Sequence, residues 1–73
     1  MNATDFHKGD RVIYVPGIAH GDPKHEACEH GQVSSVNEKY VFVRLDKTVA
    51  KLGWEGTTSQ SCRPEDLQLQ DSV

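Results

Sequence analysis

Apolar residues along the chain cluster in short runs with the spacing of β-strands. Arg11-Val12-Ile13-Tyr14-Val15 is β-branched and aromatic, follows the turn-forming Lys8-Gly9-Asp10, and stops at Pro16-Gly17. Tyr40-Val41-Phe42-Val43-Arg44-Leu45 alternates most cleanly: Val41, Val43 and Leu45 share one face, and Tyr40, Phe42 and Arg44 the other. Gln32-Val33-Ser34-Ser35-Val36 is a weaker strand. Its two valines lie three apart, so they reach the same face only if a bulge forms near Ser34-Ser35. The polar Asn37-Glu38-Lys39 between these two strands has the length of a tight hairpin. Thr57-Thr58-Ser59-Gln60-Ser61 favours extended backbone but is polar throughout, as an edge strand is.

The connections are less regular. Residues 16–31 hold two prolines, three glycines and three of the four histidines, and a stretch of this length in a small domain is usually a functional loop. Residues 46–56 carry Val49, Leu52 and Trp54; they could hold a short helical turn, with Trp54 folding back onto the sheet. Arg63-Pro64-Glu65-Asp66-Leu67 places proline and then acids in a first turn, which predicts one 3₁₀ turn before a last short strand. Residues 1–7 are expected to form an N-terminal tail, 8–69 the domain, and 70–73 a fraying C-terminal tail. The predicted fold is all-β: a small five-stranded antiparallel barrel of SH3-like type, with one long early loop and a 3₁₀ turn before the last strand. Its expected core is Val12, Tyr14, Val33, Val36, Val41, Val43, Leu45 and Leu67, with Ile13, Phe42 or Trp54 closing one end.

The order Lys8-Gly9-Asp10-Arg11-Val12, Gly31-Gln32-Val33, Tyr40-Val41-Phe42-Val43-Arg44 and Arg63-Pro64-Glu65-Asp66-Leu67 resembles SH3-like and KOW-type small barrels. The segments CEHGQVSSVNEKYVFVRLD and LGWEGTTSQSCRPEDL resemble a group of short, uncharacterised proteins of tailed bacteriophages and prophages. That resemblance covers most of residues 8–69. It implies the barrel fold and a phage or prophage setting, hence the bacterial host cytoplasm, and it brings no residue roles.

Composition narrows the function classes. Seventy-three residues allow one thin core and exclude a dinucleotide-binding domain or a two-domain enzyme. There is no run of about 20 apolar residues for a membrane span and no apolar stretch near the N-terminus resembling a signal peptide, so a cytoplasmic location and no membrane partner are expected. A net charge of −3 disfavours nucleic acid, because phosphate binding needs clustered Lys and Arg. Here Lys8, Arg11, Lys39, Arg44, Lys47, Lys51 and Arg63 are interspersed with acids; a shared face for Lys39, Arg44, Lys47 and Lys51 would reopen that reading.

Four candidate chemistries remain. The densest ligand-type residues are His20, Asp22, His25, Cys28 and His30. His25 and Cys28 could reach one zinc ion from a turn, with His30 or His20 as a third ligand and Cys62 completing a tetrahedral set, although no cofactor is required by the pattern. Cys28 and Cys62 could instead pair as a disulfide, but a reducing compartment favours two free thiols. Cys28 with His25 or His30 has the elements of thiol catalysis but no third orienting group, so no enzyme activity is expected. Trp54, Thr57, Thr58 and Gln60 offer a flat apolar face and hydrogen bonds to a small polar ligand. Tyr14, Tyr40, Phe42 and Trp54 are candidate anchors for a protein partner, because aromatic residues carry much of interface binding energy. The polar strand 57–61 could also pair with its copy in a homodimer. The leading expectation is a non-enzymatic module that binds a host or phage protein.

Overall fold

The computed structural model describes residues 2–70. Five strands form one antiparallel sheet: β1 (Arg11–Tyr14), β2 (Glu29–Val36), β3 (Val41–Leu45), β4 (Gln60–Cys62) and β5 (Leu67–Leu69), in the spatial order β4-β3-β2-β1-β5. The long β2 is the hub. It pairs with β1 from Arg11↔Gln32 to Tyr14↔Glu29, and with β3 from Gly31↔Leu45 to Val36↔Val41.

The chain itself requires this sheet to curl. β4 and β5 occupy opposite edges, which in a flat sheet lie about 19 Å apart at roughly 4.8 Å per strand. Only residues 63–66 join them, a link that spans at most about 17 Å when extended. A 3₁₀ turn at Pro64–Asp66 shortens that link further. The edges are therefore drawn toward each other, and the result is a half-barrel.

The valine spacing in β2 has the consequence expected of it. The β2–β3 register shifts between Val33 and Ser35, and the extra residue lets both Val33 and Val36 oppose valines of β3. At the β2–β3 turn, Asn37 Oδ1 accepts the backbone N–H groups of Lys39 at 2.8 Å and Tyr40 at 2.7 Å, which fixes the hairpin.

The concave face buries Val12, Val33, Val41, Val43, Cys62 and Leu67, with Tyr14, Val36 and Leu45 packed half-buried against them. Ile13, Phe42 and Trp54, expected to close one end, are likewise only half-buried. Closure comes from the segment expected to be a tail: Ala3 and Phe6 are each 2% exposed and belong to the core. A short 3₁₀ turn, Ala3–Asp5, delivers them. The Asn2 N–H donates to Asp5 Oδ2 at 2.8 Å, and the Asp5 N–H donates to the Asn2 carbonyl at 3.0 Å. The C-terminal tail expected over 70–73 lies, from residue 71 on, outside the described residues.

Two element boundaries differ from the sequence expectation. Residues 46–56 hold more than a turn: Asp46–Leu52 is an α-helix (α1), so the fold is β-rich with one helix rather than all-β. Asp46 at its start and Lys51 in its last turn suit the helix dipole, and Gly53 at φ 79 ends it. Strand character starts at Gln60, not Thr57. The hydroxyls of Thr57 and Ser59 bond to Gly53 and to other side chains, holding 57–59 in a turn-like loop.

Candidate functional site

Three places hold the candidate residues. The first is the long loop with the start of α1. A 3₁₀ turn at Gly17–Ala19 buries Ala19, and successive backbone bonds (Asp22 to Ala19, His25 to Asp22, Cys28 to His25) coil the rest of the loop into turns. His25 Nδ1 accepts the Ala27 N–H at 3.0 Å, and the Cys28 thiol donates to the Asp22 carbonyl at 3.2 Å. His30 Nδ1 sits 3.2 Å from Gln70 Oε1, on the far side of β1. Cys62 lies in the core on β4, remote in strand order from β1 and from the loop. The set His25, Cys28, His30 and Cys62 is therefore not assembled. Among the described residues no three His, Cys, Asp or Glu side chains are placed to hold a metal ion. Both cysteines are free thiols, so the disulfide considered from sequence does not form.

The two thiols differ in environment. Burial pushes the Cys62 thiol above its ordinary range, with the Asp66 carboxylate adding to the rise, whereas Cys28 is only half-buried. One thiol, Cys28, is expected to react with a disulfide reagent in the native protein, and the second only in denaturant. Mass mapping of the labelled peptide checks this; native labelling at Cys62 would contradict the burial described.

Between this loop and α1 lies a cavity of about 670 Å³, lined by residues 26–30 together with Asp46 and Lys47. The end of the long loop and the start of α1 thus flank one another. Two ion pairs stand at this wall. Lys47 meets Glu29, and Arg11 makes a bidentate bridge to Asp46, with Nη1 to Oδ1 at 2.8 Å. This bridge reaches from β1 across β2 to the first residue of the helix. It holds the Asp46 carboxyl below the usual carboxylate range, chiefly through the Arg11 hydrogen bond, and raises Arg11 in return. Because the folded Asp46 binds its proton less readily than the unfolded one, its stabilisation is complete above the ordinary carboxylate pKa. It is lost as pH falls through the lower, folded value. Both partners are more than a third exposed, so solvent screening keeps the effect small. Thermal unfolding between pH 7 and pH 2 is expected to show a shallower acid decline in Asp46→Asn than in the parent. Identical slopes would sink the assignment.

The second place is the α1–β4 loop. Trp54 is half-buried, and the Arg44 guanidinium lies over its ring, 4.5 Å from the centroid. Arg44 Nη1 also donates to the Trp54 carbonyl at 2.8 Å, and Nε to Ser59 Oγ at 3.2 Å. Ser59 Oγ lies 2.7 Å from Ser34 Oγ, which donates to the Phe42 carbonyl. Thr57 is 4% exposed, and its hydroxyl donates to the Gly53 carbonyl at 2.7 Å. Of the small-ligand candidates, Trp54 therefore has a ring face covered by Arg44 and Thr57 is turned inward; Thr58 and Gln60 are exposed. The sequence places Arg44 on a strand face and among four cations that could cluster, but assigns it no partner. The missing signal is its partner, because Trp54 lies ten residues on and only the helix between them brings the two together.

The third place is the β2–β3 turn. Among the four aromatic anchors, Tyr14, Phe42 and Trp54 are half-buried, and Tyr40 is 41% exposed. Tyr40 and Lys39 border a cavity of about 440 Å³ whose other walls are the N-terminal turn (Asn2, Ala3, Thr4) and the turn before β5 (Arg63, Pro64, Glu65). Sequence reasoning named Tyr40 but neither of those walls, since residues 2–4 and 63–65 meet it only through the curl of the sheet.

Arg11, Lys47 and Arg63 each have a carboxylate partner, and Arg44 is engaged at Trp54. Of the four cations whose clustering would have favoured nucleic acid, Arg44 and Lys47 are thus already engaged within the molecule. No helix among the described residues is long and apolar enough to cross a membrane. No protein-family model matches the chain, and no curated protein or solved structure is significantly similar to it.

Proposed function

We propose that the chain is a non-enzymatic interaction module, an SH3-like small barrel of phage or prophage origin, that binds a phage or host protein in the bacterial cytoplasm through the surface around Tyr40. The observation that carries this reading is the position of Tyr40. It is the one candidate aromatic left exposed, at the rim of a cavity framed by three separate turns. Such a site combines an amphipathic ring with hydrogen-bonding walls, a combination enriched where proteins meet. Its cations and carboxylates are mixed (Lys39 and Arg63 against Glu38 and Glu65), which suits a polar protein surface better than a polyanion.

Tyr40→Ala is expected to weaken capture of the partner by about 2 kcal/mol or more, the range of an interface hot spot. The same change leaves thermal stability within about 0.5 kcal/mol, as for an exposed side chain. Affinity capture from host and phage-infected lysates, followed by titration of the retained protein, measures both. An unchanged affinity in Tyr40→Ala, or turnover of a substrate by the purified domain, would overturn the proposal.

A further inference from the structure

Three arginines lie among the described residues, and two of them face carboxylates. Arg11 grips Asp46, and Arg63 lies 3.5 Å from Asp66 and 3.9 Å from Glu65. Arg44 differs. Its hydrogen-bond acceptors are neutral, the Trp54 carbonyl at 2.8 Å and Ser59 Oγ at 3.2 Å, and its plane rests on an aromatic ring. A guanidinium bonded to neutral acceptors keeps its full charge, and a carboxylate or phosphate binds it roughly twice as strongly as a neutral oxygen does.

Beyond these bonds, the loop is tied to the sheet by the Ser59–Ser34 hydroxyl bond at 2.7 Å. Of residues 53–59 only Thr57 is buried, and it is polar. Segments with few buried apolar side chains open at the low end of a protein's free-energy scale. Opening residues 53–59 would break the Trp54 and Ser59 bonds together, because both converge on one side chain.

We propose that Arg44 is an oxyanion-binding residue which the 53–59 loop masks, so that binding a carboxylate or phosphate group and releasing this loop are one coupled event. The site is separate from the Tyr40 surface, because Arg44 does not line the Tyr40 cavity. By linkage, whatever loosens the loop tightens the anion, because less of the protein is held in the masked state.

Trp54 is the single tryptophan, so its fluorescence reports the loop directly. The parent protein is titrated with sodium phosphate, and separately with sodium acetate, against sodium chloride at matched ionic strength. A saturable change in Trp54 emission is expected with an oxyanion and not with chloride. Hydrogen exchange in 53–59 should rise as the site fills. A response to both salts identifies a general oxyanion site, and a response to phosphate alone identifies a phosphate site. Arg44→Gln is expected to abolish the response. Ser59→Ala, which keeps the guanidinium but removes one of its acceptors, is expected to tighten binding by roughly two- to tenfold, the equivalent of one hydrogen bond. It carries the test if Arg44→Gln does not fold. Emission that follows ionic strength alone, an Arg44→Gln response equal to the parent's, or no tightening in Ser59→Ala would overturn the proposal.

Discussion

Replacing Phe6 by alanine is expected to destabilise the domain by about 3–5 kcal/mol, the cost of truncating a buried aromatic side chain. Phe6 is 2% exposed and is among the largest fully buried side chains of the chain. It fills the half-barrel from the concave side, where Val12, Val33, Val41 and Val43 present only small branched groups. Valines alone cannot reach across such a space, so the void left by Phe6→Ala has few neighbours able to collapse into it. A domain of 73 residues has a total stability of roughly 4–11 kcal/mol, so the loss is a large share of the whole. Urea denaturation monitored by circular dichroism measures it. A loss below about 1 kcal/mol would mean that Phe6 is not part of the core.

The second large effect is expected at Gly31, where β1, β2 and β3 meet between Val12 and Leu45. A Cβ placed on Gly31 would stand 2.5 Å from Val43 Cγ1 and 2.9 Å from the Arg44 carbonyl oxygen. The first neighbour is a stiff β-branched side chain in the core, and the second is backbone of the paired strand, so neither can swing away. Gly31→Ala must then push β2 from β3, at the cost of about 1–3 kcal/mol typical of an overfilled site. Gly31→Val is expected to cost more. The same urea series reads both, and an alanine variant as stable as the parent would show that the strands approach less closely than described.

Gly31 and Phe6 also show where the sequence was legible and where it was not. The strands were visible because their valines alternate, and the bulge in β2 was visible because Val33 and Val36 break that alternation. The 3₁₀ turn at Pro64–Asp66 announced itself through a proline followed by acids. Phe6 was missed because it stands alone among polar residues, with no periodicity to mark it; only the shape of the half-barrel creates the space it fills. Helix α1 was foreseen as a turn because Asp46–Leu52 has too few apolar residues for a helical stripe, and none of its residues is fully buried. The four-residue zinc set is not assembled, for a topological reason. His25 and Cys28 have ligand spacing, but Cys62 follows β4 into the core, which no local pattern foretells. Tyr40 was named among four aromatics, and only burial separates it from the other three.

The claim that the Tyr40 surface binds a protein is tested most directly by photo-crosslinking in cells. Benzoylphenylalanine is placed singly at position 40, and at Ile18 and Leu52, which are the other prominently exposed apolar side chains outside the sheet. A discrete protein adduct is expected from position 40 and not from 18 or 52. Adducts from 18 or 52 with none from 40, or no adduct at any of the three, would contradict the account.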